Sequence, residues 1–276
     1  MFRPARYDHV LVHADMSLIP MFRVGGLFNF LRAFMKNDPV WKLQDHLLLS
    51  RGWRVLRYLH LRDFLMQYKD QIDTVCASGA GLGFAELACA AEFPEIEFHL
   101  TDVVAPGRPN YFQVMDLAMR WDIRNVRFGV WDLMQKAPRK FDVVVSTEVL
   151  EHIEKADIAV SNQLDAAKFA VYALAPYASE KTNQDAEKRL QAYIQHEHFV
   201  CGLDPNYFAQ FAVRECVTYG TYWADAGIPF RNELAKLSPD QIKSSHAELI
   251  ERAMRDIKPV PPEDGQCMGI KSFMFL

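Results

Sequence analysis

The chain has 276 residues, half of them hydrophobic, with a net charge of −4 and five cysteines. That length suits one large domain or one domain with an extension, and the apolar fraction supplies a sizeable core. The acidic balance argues against nucleic acid as the main partner, which would need a broad basic face. Cys76, Cys89, Cys201, Cys216 and Cys267 are scattered and form no CxxC pair, so neither a disulfide framework nor a zinc site is expected, and a reducing, cytoplasmic setting is. Asp8, His9, His13 and Asp15 interrupt any apolar core near the start, and no run reaches 18 apolar residues, so neither a secretory leader nor a membrane span is expected.

Residues 1–70 hold 11 Lys/Arg against 6 Asp/Glu, a surplus of +5 that leaves −9 on the remainder. This segment reads as an amphipathic helical cap, with one helix over 27–35 and at least one more within 41–68, broken near Gly52. Trp53, Leu56, Leu59, Leu61, Phe64 and Leu65 make its apolar face. Arg51, Arg54 and Arg57, three apart, form either a solvated edge or a clamp for an anionic ligand over a pocket.

The second part, 71–276, begins with the most informative stretch. A strand over 72–77 runs into Gly79-Ala80-Gly81-Leu82-Gly83, a helix follows from Phe84, and a strand over 97–101 stops on Asp102. Glycines at alternate positions let the backbone lie against a ligand and start a helix with its N–H groups aimed there. An acid closing the next strand is placed to take ribose hydroxyls, so a nucleoside-containing small molecule is expected. Strands over 126–130, 141–146 and 168–174 follow, with helices between them, including one over 111–120. Such alternation predicts a doubly wound, mostly parallel sheet, with ligands beyond the carboxyl ends of the strands, where Asp102, Asp132 and Glu148 meet. Strands over 215–223 and 270–276 complete seven. Between them Ser238-Pro239-Asp240-Gln241 is a capping box opening a structural helix, which Pro259, Pro261 and Pro262 end.

The arrangement over 70–276 resembles the class I S-adenosylmethionine (SAM) dependent methyltransferases of the small-molecule type. Val75-Cys-Ala-Ser-Gly79-Ala-Gly-Leu-Gly83 is similar to the family's glycine-rich motif, Thr101-Asp102 to its ribose-binding motif, and Val126 to Leu133 to the motif whose acid meets adenine. Phe141 to Ile153, with Thr147, Glu148 and His152, is similar to the fourth. The resemblance implies a Rossmann-like sheet closed by an antiparallel C-terminal hairpin. It also implies SAM as cofactor, held by Ala77, Gly79, Ala80, Gly81, Gly83, Asp102, Val103, Trp131, Asp132, Leu133, Thr147 and Glu148. One position departs: Ala77 stands where the family usually has an acid for the methionine ammonium, which removes a charge-assisted hydrogen bond of about 1.5–3 kcal/mol unless water or another carboxylate substitutes.

Methyl transfer needs alignment more than a fixed catalytic dyad. His152, four residues after Glu148, is either a general base or a structural histidine. Glu197 and His198 form a second candidate pair, in a stretch similar to the one beside the substrate mouth in some small-molecule members. His196 and His198 alternate but have no third ligand nearby in sequence, so no metal is expected. The absence of Asn/Asp-Pro-Pro-Tyr argues against a nucleobase or protein-amide acceptor and for a small molecule, methylated most readily on oxygen. A silent protein of the same fold, or an enzyme using SAM for another reaction, remain the other readings.

Overall fold

A computed structural model of the chain describes residues 52–81, 83–103, 118, 122–221, 261–262 and 269–276. The helices expected over 27–35, 111–120 and 238–257 lie outside the described residues, apart from the buried, helical Ala118.

Helix α1 (Gly52–Tyr68) leads through a short 3-10 turn into β1 (Thr74–Ser78), then α2 (Phe84–Glu92), β2 (Glu97–Asp102), β3 (Val126–Val130) and β4 (Phe141–Thr147). A 3-10 turn (Leu150–His152) precedes α3 (Ala156–Ala166) and β5 (Ala167–Pro176). Three helices follow, α4 (Glu180–Gln184), α5 (Ala186–His196) and α6 (Pro205–Ala209), and then β6 (Glu215–Thr221) and β7 (Gly269–Phe275). The strands form one sheet in the order β3-β2-β1-β4-β5-β7-β6. The first five are parallel; β7 is antiparallel to both β5 and β6.

All seven expected strands are present, with ends shifted by a residue or two. The first starts at Thr74 rather than 72 because the Ile72 N–H closes the preceding turn on the Lys69 carbonyl. The fifth runs on to Pro176 because β4 flanks one edge and β7 the other, as far as Pro176 opposite Gly269.

Alternation across the pleat loads both faces. Val75, Ala77, Val143 and Val145 point into one core with Leu87 and Ala88 of α2; Cys76 and Val144 point into the other with Ala159 and Val160 of α3. Tyr58, Leu59, Leu61, Phe64 and Leu65 of α1 are buried in the first of these cores, so this helix shares the core of the sheet. Phe64 stacks on Phe273 of β7 at 5.2 Å and on Tyr172 of β5 at 5.6 Å, fixing α1 across the region where the sheet turns antiparallel.

From β1 the chain steps outward through β2 to β3, then returns to β4 on the other side of β1. That reversal opens a crevice at the carboxyl ends of β1 and β4, the place where such sheets take ligands.

Phe64→Ala removes a ring that is 1% exposed. It is expected to lower unfolding free energy by about 3–5 kcal/mol, read as a drop in the denaturant midpoint.

Candidate active site

The floor of the crevice is the turn after β1. Gly79, Gly81 and Gly83 all have positive φ, at 64°, 54° and 56°. Three left-handed residues in five bend the chain sharply enough for α2 to begin at Phe84. The turn is held from two sides. The Ala80 N–H donates to the Thr101 carbonyl at 2.9 Å, and the Gly81 N–H donates to the Asp102 carboxylate at 2.8 Å. Val149 packs against Gly79 so closely that a Cβ there would lie 2.7 Å from two of its methyl groups, whereas a Cβ on Gly81 would meet only a carbonyl oxygen at 4.0 Å.

Above this floor lies a cleft of about 760 Å³, within the range of small-ligand sites. Gly79, Gly81, Asp102, Val103, Trp131, Asp132, Leu133 and Glu148 all line it, so most of the expected cofactor residues converge. Trp131 is buried and donates its indole N–H to the Gln135 carbonyl, which presents a fixed aromatic edge. Asp132 is exposed and accepts from the Met134 N–H at 2.9 Å, capping its own turn while facing the cleft.

Four expected contacts are not among the cleft-lining residues. Ala77 is buried in mid-strand, where its carbonyl accepts from the Thr101 hydroxyl. Thr147 turns its hydroxyl to the buried Glu86, whose carboxyl burial pushes upward. Ala80 and Gly83 act through the backbone, the Gly83 N–H donating to the Ala80 carbonyl at 2.7 Å. A β-strand alternates faces, so adjacent motif positions cannot all look into one crevice.

Glu148 has φ 55°, a left-handed conformation uncommon outside glycine, and pairs with Arg57 of α1. Arg57 also donates to the Thr147 carbonyl at 3.2 Å. Of the three arginines in the basic row, this one therefore reaches the rim of the cleft; the side chains of Arg51 and Arg54 lie outside the described residues.

The far end of the cleft is built by the turn after β4 and the segment after α5. His152, Ile153, Tyr193, Ile194, Glu197 and Phe199 line it. The Phe199 N–H donates to the Glu151 carbonyl at 2.8 Å, tying the two segments together. The His152 and His198 rings meet edge to face at 4.5 Å, and His152 Nδ1 lies 3.3 Å from the Glu197 carbonyl. The Glu197 side chain is exposed, and the Glu197 carbonyl is the group that meets His152 Nδ1. Burial lowers the pKa of His152 against the pull of Glu197, and burial with the neighbouring histidines lowers His198 to about 4.

Glu151 has no counterpart among the residues singled out from sequence. It is fully buried, neither carboxylate oxygen has a partner among the described residues, and burial pushes its carboxyl up to about 7. Its signal was its place three residues after Glu148 and beside His152. The donor atoms of Glu151, His152 and His198 all lie within 4.8 Å of one another. Of His196 and His198, the second is the one that joins this group.

No protein-family model matches the chain, and no curated protein matches it in sequence. Solved structures do match. Coclaurine N-methyltransferase bound to N-methylheliamine and SAH aligns with a TM-score of 0.52 at 12% identity, over 79% of this chain and 70% of that one. A Galdieria sulphuraria protein assigned as a sarcosine dimethylglycine methyltransferase aligns with a TM-score of 0.52 at 9% identity, over 80% and 86%. The fold is that of the class I SAM-dependent methyltransferases. In this fold the strand order sets the carboxyl ends of β1 and β2 side by side, which is where the glycine turn and Asp102 meet.

Gly79→Ala combines a positive φ with a collision on Val149, and Gly81→Ala only a positive φ into open space. The first is expected to cost about 1–3 kcal/mol and the second less, so thermal unfolding should rank Gly79→Ala below Gly81→Ala.

Proposed function

We propose that the chain binds SAM in this cleft and transfers its methyl group to a small-molecule acceptor, with oxygen as the acceptor atom. The observation that carries the reading is an open cleft whose floor is a left-handed glycine turn hydrogen-bonded to the Asp102 carboxylate. A turn held in this way supports adenosyl binding because it brings backbone close to the ligand while Asp102 keeps its second oxygen for ribose hydroxyls. Asp132 and the fixed Trp131 edge serve the adenine. The methyltransferases aligned above have the same architecture, and one of them was solved with SAH, the demethylated form of SAM.

With Ala77 carrying no acid, we assign the ammonium of the methionine moiety to Glu148. It lines the cleft next to Val149, which packs on Gly79. The acceptor enters at the other end, between the apolar side chains of Ile153, Tyr193, Ile194 and Phe199, with His152 as the polar side chain that meets its nucleophile. Alignment there and exclusion of water do most of the catalytic work, since the cofactor already carries an activated methyl.

Asp102→Ala is expected to weaken SAM binding by about 1–3 kcal/mol, read by calorimetry. Unchanged affinity would reduce Asp102 to a brace for the turn and remove the main support for the cofactor site. An absence of SAM binding in the full chain would favour a silent protein of this fold.

His152→Ala is expected to cut turnover about 100-fold or more while SAM affinity holds. Methyl-labelled SAM reports whether the label moves to the acceptor.

A further inference from the structure

Glu151 sits in the turn after β4 with no exposed surface and no hydrogen bond to either carboxylate oxygen among the described residues. Leaving a carboxylate so buried and unpartnered is costly, and such a group calls for a bound water or ion. His152 and His198 supply two imidazoles whose ring nitrogens converge with its oxygens, all within 4.8 Å. Three side chains that can each offer a lone pair to one point form a donor set that a cation can share. We propose that Glu151, His152 and His198 bind a divalent first-row transition-metal ion at the acceptor end of the cleft.

The surroundings are built for such a role. A carbonyl oxygen can only accept, so the His152 Nδ1 contact to the Glu197 carbonyl puts the ring proton on Nδ1 and leaves the lone pair on Nε2. Orientation of a ligating imidazole by a backbone carbonyl is the usual outer support of a metal site. The hydrogen bond from Phe199 to the Glu151 carbonyl holds the His198 segment in register with the turn. Donors bonded to one ion at about 2.0–2.2 Å stand about 3–3.5 Å from each other, a spacing that small side-chain rotations reach from within 4.8 Å. Two imidazoles with one carboxylate select zinc, manganese, iron or cobalt over calcium or magnesium. Three protein ligands also leave coordination positions open, and His152 brings them to the cleft.

This inference rests on the methyl-transfer reading and gives His152 a definite task, as a ligand rather than a free base. An acceptor hydroxyl bound to the ion loses its proton to solvent more readily. Its oxygen then bonds to the methyl carbon as the carbon–sulfur bond breaks, the electron pair staying on sulfur. The products are a methyl ether and S-adenosylhomocysteine. The substrate class implied is a small hydroxylated molecule.

The test uses the full chain, stripped with chelator and titrated with Zn²⁺ by calorimetry, with Co²⁺ as a spectroscopic probe and SAM titrated in parallel. Wild type should bind one ion at this site, with a rise in melting temperature. Glu151→Gln and His198→Ala should each weaken that binding about 10-fold or more and lose the cobalt spectrum. Metal binding unchanged by both substitutions, or absent from a wild type that still binds SAM, overturns the site and leaves the methyltransferase reading intact. Metal binding without SAM binding instead overturns that reading and keeps the site. A destabilised His198→Ala is covered by Glu151→Gln, which keeps the side-chain shape and should melt like the stripped wild type.

Discussion

One hydrogen bond organises the cleft: the Gly81 N–H held by the Asp102 carboxylate at 2.8 Å. It joins the end of β1 to the end of β2, so the turn is locked to the strand that supplies its acid. Three positive-φ glycines make the bend possible, but a flexible turn alone would collapse toward α2 or fray. With Asp102 on one side and Val149 on the other, the turn is braced from both sides beneath a cleft of about 760 Å³. Preorganisation of this sort reduces the ordering cost of taking a ligand.

The rest of the molecule frames that floor. Helix α1 is pinned to the sheet by the stack of Phe64 on Phe273 and Tyr172, and it carries Arg57 to the rim, where the guanidinium meets Glu148. Glu148 in turn holds a left-handed backbone just past β4, with its N–H on the Leu174 carbonyl of β5. Strain of this kind persists only where surrounding contacts over-determine it. The same turn delivers Glu151 and His152 one step later, so both ends of the cleft depend on how β4 is terminated.

Two chemistries therefore share one crevice. The β1–β2 end offers backbone and carboxylates, suited to a sugar and a purine. The β4–α5 end offers imidazoles, a buried carboxylate and an apolar wall. Tyr193 and Ile194 stay 52% and 71% exposed on α5, so that end of the cleft faces solvent.

The seven strands and the glycine turn were legible in the sequence because they rest on local signals: alternation with period two, a run of glycines and an acid at a fixed distance. Asp102, Asp132 and Glu148 were legible for the same reason, each closing a strand that ends at one rim. What the sequence could not decide was orientation and company. Ala77 and Thr147 belong to the right motifs yet lie beneath the crevice, since the pleat turns neighbouring residues to opposite faces. Arg57 was one of three equivalent arginines until the docking of α1 brought it to Glu148. Glu151 stood unremarked between better-known neighbours, and His198 lay 47 residues away from it. Only the return of the chain from α5 to the β4 turn, fixed by the Phe199 bond to Glu151, brings a buried carboxylate and two imidazoles to one point. Local pattern sets which elements form, because it depends on neighbours in the chain; the convergence of distant donors depends on packing, which no local pattern contains.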